Sequence, residues 1–309
     1  MYFGYLKGPY IMNRIFLFLI THLSVMLVFG LFLNLIGIQS NNIQNLLIIS
    51  SCLGFSGSFI SLLLSKSMAL RAVNGVIIEY AHDESEHWLI KTVSCQAKQT
   101  GIKMPQLAIY QAKNINAFST GFRRNSSLIA VSSGLLKHMN YDETEAVIAH
   151  EISHIANGDM VTMGLIQGIV NTFVIFFAGL MVKKITFSPV SIRCNSAIEN
   201  DARIKSLGYI IVTIILELIF GMLATMIVMW FSRHREFYAD AHAAKLVGSK
   251  KMIAALQHLN ISSEPPQEPQ NIIVFCINGK KTKSIFECFM SHPALKKRIK
   301  TLLRSKDMD

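Results

Sequence analysis

Four stretches of this chain are each apolar for more than twenty residues, and a segment of that kind has few stable fates. They run approximately Ile15 to Ile38, Ile43 to Leu64, Met160 to Val182 and Gly208 to Phe231. A hydrocarbon core about 30 Å thick is crossed by roughly 20 residues of helix, so each stretch is long enough to span it. The rest of the composition agrees: 51% of the 309 residues are hydrophobic and 16% charged, with mean hydropathy +0.39, too apolar for an ordinary soluble domain. The expected fold is a mainly α membrane protein with about four transmembrane helices. The first stretch follows Lys7 and Arg14 as a signal peptide does, but it is longer than a signal core and no small-x-small cleavage site precedes the second, so it reads as an uncleaved anchor.

Orientation follows from Lys and Arg at the span ends. Lys7 and Arg14 place the N-terminus in the cytoplasm, the uncharged Gln39 to Asn42 turn outside, and Lys66 and Arg71 return the chain inside. Arg233 and Arg235 after the fourth span are also inside. Lys183, Lys184, Arg193, Arg203 and Lys205 make the linker between spans three and four too basic for an outside loop, so either the later spans form a hairpin that does not fully cross or the first two spans dominate the topology; a hairpin whose two ends share one side is the favoured reading. The division is then residues 1–64, an N-terminal transmembrane hairpin; 65–159, a cytoplasmic part; 160–231, a second hairpin; and 232–309, a C-terminal part. The net charge of +11 sits beside spans and near the C-terminus (Lys280, Lys281, Lys296, Lys297, Arg298, Lys300), which points to anionic lipid headgroups and away from nucleic acid. Cys52, Cys95, Cys194, Cys276 and Cys288 lack C-x-x-C spacing and fit a reducing compartment; they read as packing or surface residues.

Chemistry enters at His150-Glu151-Ile152-Ser153-His154, which has the form H-E-x-x-H. Two histidines four apart on a helix face the same way and can share a metal ion, while Glu151 stands beside them as a base for water. Asp142, with Glu145 three residues on, forms a capping-box-like start before the apolar positions Ala146, Val147, Ala149, Ile152 and Ile155. Asn157-Gly158-Asp159 interrupts or bends the helix after the second histidine. A catalytic zinc takes three protein ligands and leaves one position open. Beyond the fourth span, Glu236 and Asp240 lie one helical turn apart, so one can ligate while the other faces the same cleft.

That pairing resembles the gluzincin arrangement, in which a distant E-x-x-x-D supplies the third ligand, here Glu236, and a carboxylate, here Asp240, that accepts a hydrogen bond from a ligating imidazole. Asn116 to Gly121, Val131 to Leu136, the helix Asp142 to His154, Arg233 to Asp240 and Ser291-His292-Pro293 occur together and in order, and the chain resembles the HtpX family of bacterial membrane zinc metalloproteases, relatives of the CAAX prenyl proteases. The resemblance implies one zinc ion on His150, His154 and Glu236, Glu151 as general base, and a cytoplasmic α+β peptidase domain. It implies a multi-pass protein of the bacterial inner membrane, with its active site facing the cytoplasm, that cleaves membrane or misfolded proteins. By the same resemblance Asn116, Ala117 and Phe118 form an edge strand that binds substrate backbone, beside short strands at Leu107 to Tyr110 and Ser127 to Val131, and His292 approaches the zinc to stabilise an oxyanion. Ala294 stands where relatives often carry a second proline.

Other features carry less. Glu217 lies mid-span, where an ionisable group is costly, and either partial burial or a watery cavity is open to it. His22 and Asn34 read as packing residues. Gly54 and Gly57 form only G-x-x-G, which supports neither a nucleotide loop nor G-x-x-x-G packing, and Glu264 to Pro269 is a Pro-rich linker. The rivals are a prenyl-protein processing protease, against which the short four-span chain argues, and a non-catalytic scaffold, which has no chemical need for Glu151.

Overall fold

The computed structural model describes residues 41–186, 200–262 and 289–306. The first apolar stretch with His22 and Asn34, Arg193, three of the cysteines (Cys194, Cys276, Cys288), Lys280, Lys281 and the Glu264 to Pro269 linker lie outside the described residues. So do the side chains of Lys183, Lys184, Arg203 and Lys205. In chain order the elements are α1 (Asn41–Val73), β1 (Val76–Ile77), α2 (Glu84–Gln99), β2 (Gln106–Tyr110), β3 (Ala117–Arg123), β4 (Ser126–Ser132) and α3 (Ser133–His138). They continue with α4 (Tyr141–Asn157), α5 (Asp159–Thr186), α6 (Asn200–Val247), α7 (Ser249–Ser262) and α8 (Leu295–Lys306). The described chain divides into two compact units: one holds the residues up to Ile60 together with Gly164–Val228, the other Ser61–Met163 together with the chain from Met229 onward.

The first unit is built from the apolar parts of α1, α5 and α6. Three helical segments among the described residues are long and apolar enough to cross a membrane: Ile43–Val73, Asp159–Val182 and Ile210–Val247. α1 and α5 pack where small residues let backbones approach. A Cβ on Gly54 would lie 2.5 Å from the Thr172 backbone nitrogen, and one on Gly179 would lie 2.9 Å from Leu46 Cδ1. Asn171 Nδ2 donates to Ser58 Oγ across the same contact at 3.3 Å. Small residues with polar cross-links are how helices associate where lipid removes the hydrophobic drive. Gly54 thus has a packing role that its G-x-x-G spacing did not suggest, because the partner helix supplies the crossing; Gly57 has open space around it. On α6, Ile210, Ile214, Leu218 and Met222 are exposed, as is Glu217 among them.

The second unit holds a four-stranded sheet in the order β1-β2-β4-β3. β4 pairs parallel with β2 and antiparallel with β3. Being central and covered on both faces, it reads as an unbroken apolar run, Leu128 to Val131, all fully buried. One face carries Ala108, Tyr110, Leu128 and Ala130 against Leu70 and Val73 of α1. The other joins a core with Leu89 and Val93 of α2, Ile148 and Ile152 of α4, Met252 and Leu256 of α7, and Leu302 of α8. Each such side chain contributes roughly 1.5–3 kcal/mol on burial.

α4 starts earlier than its sequence suggested. Asn140 is the N-cap, its side chain accepting from the Glu143 backbone at 2.8 Å, while Glu143 Oε2 accepts from the Asn140 backbone at 3.1 Å. Asp142 and Glu145 have the same spacing but instead hold Lys251 of α7, at 2.8 and 2.6 Å. The helix ends at Gly158, whose φ of 68° and ψ of 33° are left-handed and suit glycine. α5 begins at the next residue. α6 is one 48-residue helix, about 72 Å long at 1.5 Å per residue, so the Arg233 to Asp240 run extends the last apolar stretch without a break.

Candidate active site

His150 and His154 stand one turn apart on α4, with their Nε2 atoms 3.1 Å apart. Glu236 on α6 comes within 3.5 Å of His150 Nε2 through Oε2 and 3.3 Å of His154 Nε2 through Oε1. One donor atom from each of the three lies within 4.8 Å of the other two. Ligands about 2.0–2.1 Å from a tetrahedral zinc are separated from each other by about 3.3 Å, so the observed spacings are those of a metal-holding triad. Glu151, 8% exposed, lines the cleft beside His150.

Charge supports the same fit. Glu151, Asp159, Glu236 and Asp240 are buried, and so is Arg298, while the Arg235 side chain is 17% exposed. With both imidazoles neutral, as metal ligands must be, four ionised carboxylates against two guanidiniums carry an excess of two negative charges in a poorly solvated interior, which a divalent ion would offset.

Each imidazole has its own carboxylate. His150 Nδ1 lies 3.0 Å from Asp240 Oδ1, the partner expected from the sequence. His154 Nδ1 lies 2.6 Å from Asp159 Oδ2, a partner that the sequence reading treated only as part of a helix break. Arg235 donates to the same Asp159 oxygen at 2.8 Å and to the Asp159 carbonyl at 2.6 Å. Burial opposes protonation of His150, but its hydrogen bonds to Asp240 and Glu236 outweigh this and raise its pKa above the ordinary 6.5.

Arg298 corrects the sequence reading most plainly. It was grouped with the lipid-facing basic residues near the C-terminus, yet it is 6% exposed. Its Nε donates to Asp240 Oδ2 at 2.7 Å, Nη2 reaches Asp240 Oδ1, and Nη1 lies 3.0 Å from Glu236 Oε2. Burial disfavours the cation, but hydrogen bonding to Asp240 and the charges of Asp240, Glu236 and Glu151 prevail and push its pKa up. The signal was present in the spacing: Leu295, Ile299 and Leu302 form the packed face of α8, and position 298 falls on it. Lys296, Lys300 and Arg304 remain exposed.

The cleft over this centre has a volume of about 880 Å³. Its lining includes a lip at Asn114 to Ala117, the α7 residues Met252, Ala255, Leu256 and Leu259, and His292 and Pro293. β3 is one of the two edge strands of the sheet. Asn116 and Ala117 line the cleft, whereas the ring of Phe118 packs on Tyr110 at 5.8 Å, as alternation along a strand requires. Ser132 fixes the lip: its Oγ accepts from the Asn116 and Leu135 backbones at 3.0 Å each and donates to the Asn114 carbonyl at 2.8 Å. A Cβ on Gly134 would collide with the Lys113 carbonyl, so the loop under the lip requires glycine there. His292, 63% exposed, places Nδ1 2.8 Å from Glu236 Oε2.

The likenesses to known proteins converge. Residues 83–306 match the model of peptidase family M48. The Protease HtpX of Serratia proteamaculans is 60% identical over 291 residues, covering 94% of this chain and 98% of that protein. The Protease HtpX of Yersinia enterocolitica is 59% identical over the same shares. In fold, the chain is similar to the crystal structure of S. mikatae Ste24p, with TM-score 0.60 and 18% identity, covering 95% of this chain and 66% of that one. With a family match over most of its length, relatives alike almost end to end and helices apolar enough to span a bilayer, the chain belongs to peptidase family M48 and is an integral-membrane metallopeptidase.

Proposed function

We propose that the chain is a zinc-dependent endopeptidase of the bacterial inner membrane that cleaves membrane or misfolded proteins on the cytoplasmic side, as a quality-control enzyme. The peptidase part comprises residues 65–159 and 232–309, and the spans comprise 1–64 and 160–231. His150, His154 and Glu236 hold one zinc ion. Zinc bound there supplies Lewis acidity, which lowers the pKa of water and polarises a carbonyl. Glu151 takes the proton of the attacking water and passes it to the leaving amine. Asp240 holds the His150 imidazole by its other nitrogen. The edge formed by Asn116, Ala117 and Phe118, where β3 begins, takes substrate backbone by strand addition, and His292 at the cleft donates to the oxyanion. Apolar side chains of the substrate lie against Met252, Ala255 and Leu256.

The observation that carries this reading is that two imidazole Nε2 atoms 3.1 Å apart on one helix are met by the Glu236 carboxylate of a helix distant in sequence, Oε1 at 3.3 Å from His154 and Oε2 at 3.5 Å from His150. Metal analysis of detergent-purified protein tests it. One zinc per chain is expected in wild type, and Glu236→Ala should lose it, because two imidazoles alone hold zinc weakly. Stoichiometric zinc in that variant contradicts the assignment.

A further inference from the structure

The two ligating histidines are held by different carboxylates, and the one on His154 sits at an unusual place in the chain. Asp159 is the first residue of α5, delivered to the imidazole by the left-handed turn at Gly158. Its Oδ2 is shared between His154 Nδ1 at 2.6 Å and Arg235 Nη2 at 2.8 Å. Arg235 precedes Glu236 on α6 and also grips the Asp159 carbonyl. The shared oxygen must accept from the guanidinium, so it is fixed as an acceptor toward the imidazole, and Nδ1 carries the proton. His154 Nε2 then faces Glu236 Oε1 and His150 Nε2.

We infer that Asp159 is a positioning residue for His154, held in place by Arg235. Resting on the zinc reading above, this assigns a role to the residue that opens one candidate span and to an arginine on the helix that contains another. A helix-start role alone would let serine or asparagine replace Asp159 with only the loss of its charge at the helix N-terminus and with zinc affinity unchanged. A positioning role does not, since serine cannot reach the ring and asparagine lacks the charge.

The test combines zinc competition titrations with 15N spectra of histidine-labelled, metal-free protein in detergent, the His154 signals being assigned from His154→Ala. Asp159→Ser should bind zinc roughly 10- to 100-fold more weakly than wild type, the loss typical when the partner of a ligating imidazole is removed. Asp159→Asn should fall at the lower end of that range, and Arg235→Ala should also weaken binding. In metal-free wild type the His154 ring should show Nδ1 donating to a carboxylate, and Asp159→Ser should lose this hydrogen-bond signature while keeping the wild-type circular dichroism. Zinc affinity within threefold of wild type in Asp159→Ser, with unchanged His154 ring signals, overturns the inference. Failure of wild type to bind zinc sinks the metal reading instead, and the ring signals of metal-free protein still decide the role of Asp159.

Discussion

Replacing Arg298 by methionine keeps much of the side-chain volume and removes the guanidinium that joins Asp240 to Glu236. Both carboxylates are buried, at 2% and 3% exposure, so water cannot take over the lost contacts. Removing one partner of a buried ion pair costs about 3–5 kcal/mol, because the remaining charge is uncompensated. For a folding unit of 150–250 residues each kcal/mol shifts Tm by roughly 2–4 °C, so metal-free Arg298→Met should melt about 6–20 °C below metal-free wild type. With zinc the gap should shrink, since the ion brings two positive charges to the same carboxylates. The assay is thermal unfolding by tryptophan fluorescence in detergent, with chelator and with saturating zinc. A drop below 2 °C in chelator, or an equal drop in both conditions, refutes the claim that Arg298 balances this centre.

Zinc binding should weaken on acidification. Neutral imidazole is the ligand, and in the metal-free site the pKa of His150 lies above 6.5, so apparent affinity should fall up to tenfold per pH unit below that raised pKa, with proton release visible by calorimetry in two buffers of different ionisation enthalpy. The metal-free fold runs the other way: His150 stabilises it fully below the unfolded-state pKa and the contribution is lost as pH rises through the folded one. Gly134→Ala should destabilise the protein by about 1–3 kcal/mol through overpacking against Lys113 and raise KM more than it lowers kcat, because it moves the Asn114 to Ala117 lip and leaves the His150 helix alone.

What the sequence disclosed and what it concealed divide along a physical line. The α4 histidines were legible because a four-residue spacing on a helix is a local property, and the short strands were legible because Leu128 to Val131 of β4 is an unbroken apolar run. Glu236 was reached through its i+4 relation to Asp240 and a family likeness. Asp159 and Arg298 escaped because their roles depend on which groups distant segments bring to them: a turn delivers Asp159 to His154, and α8 inserts Arg298 between two carboxylates of α6. The N-cap shows the same limit. Asn140 with Glu143 and Asp142 with Glu145 satisfy one local rule equally, and Lys251, more than a hundred residues away, occupies the second pair. Gly54 likewise gained its meaning only from Thr172 on another helix.

The central claim is that Glu151 is the base and not a ligand, and one variant separates these. Glu151→Gln preserves size and removes the proton acceptor, so metal content and peptidase turnover on an unfolded protein such as casein should be measured together. The account predicts zinc at the wild-type stoichiometry with turnover lower by at least roughly 10² to 10⁴-fold. Wild-type turnover in that variant, or loss of its zinc, would contradict it.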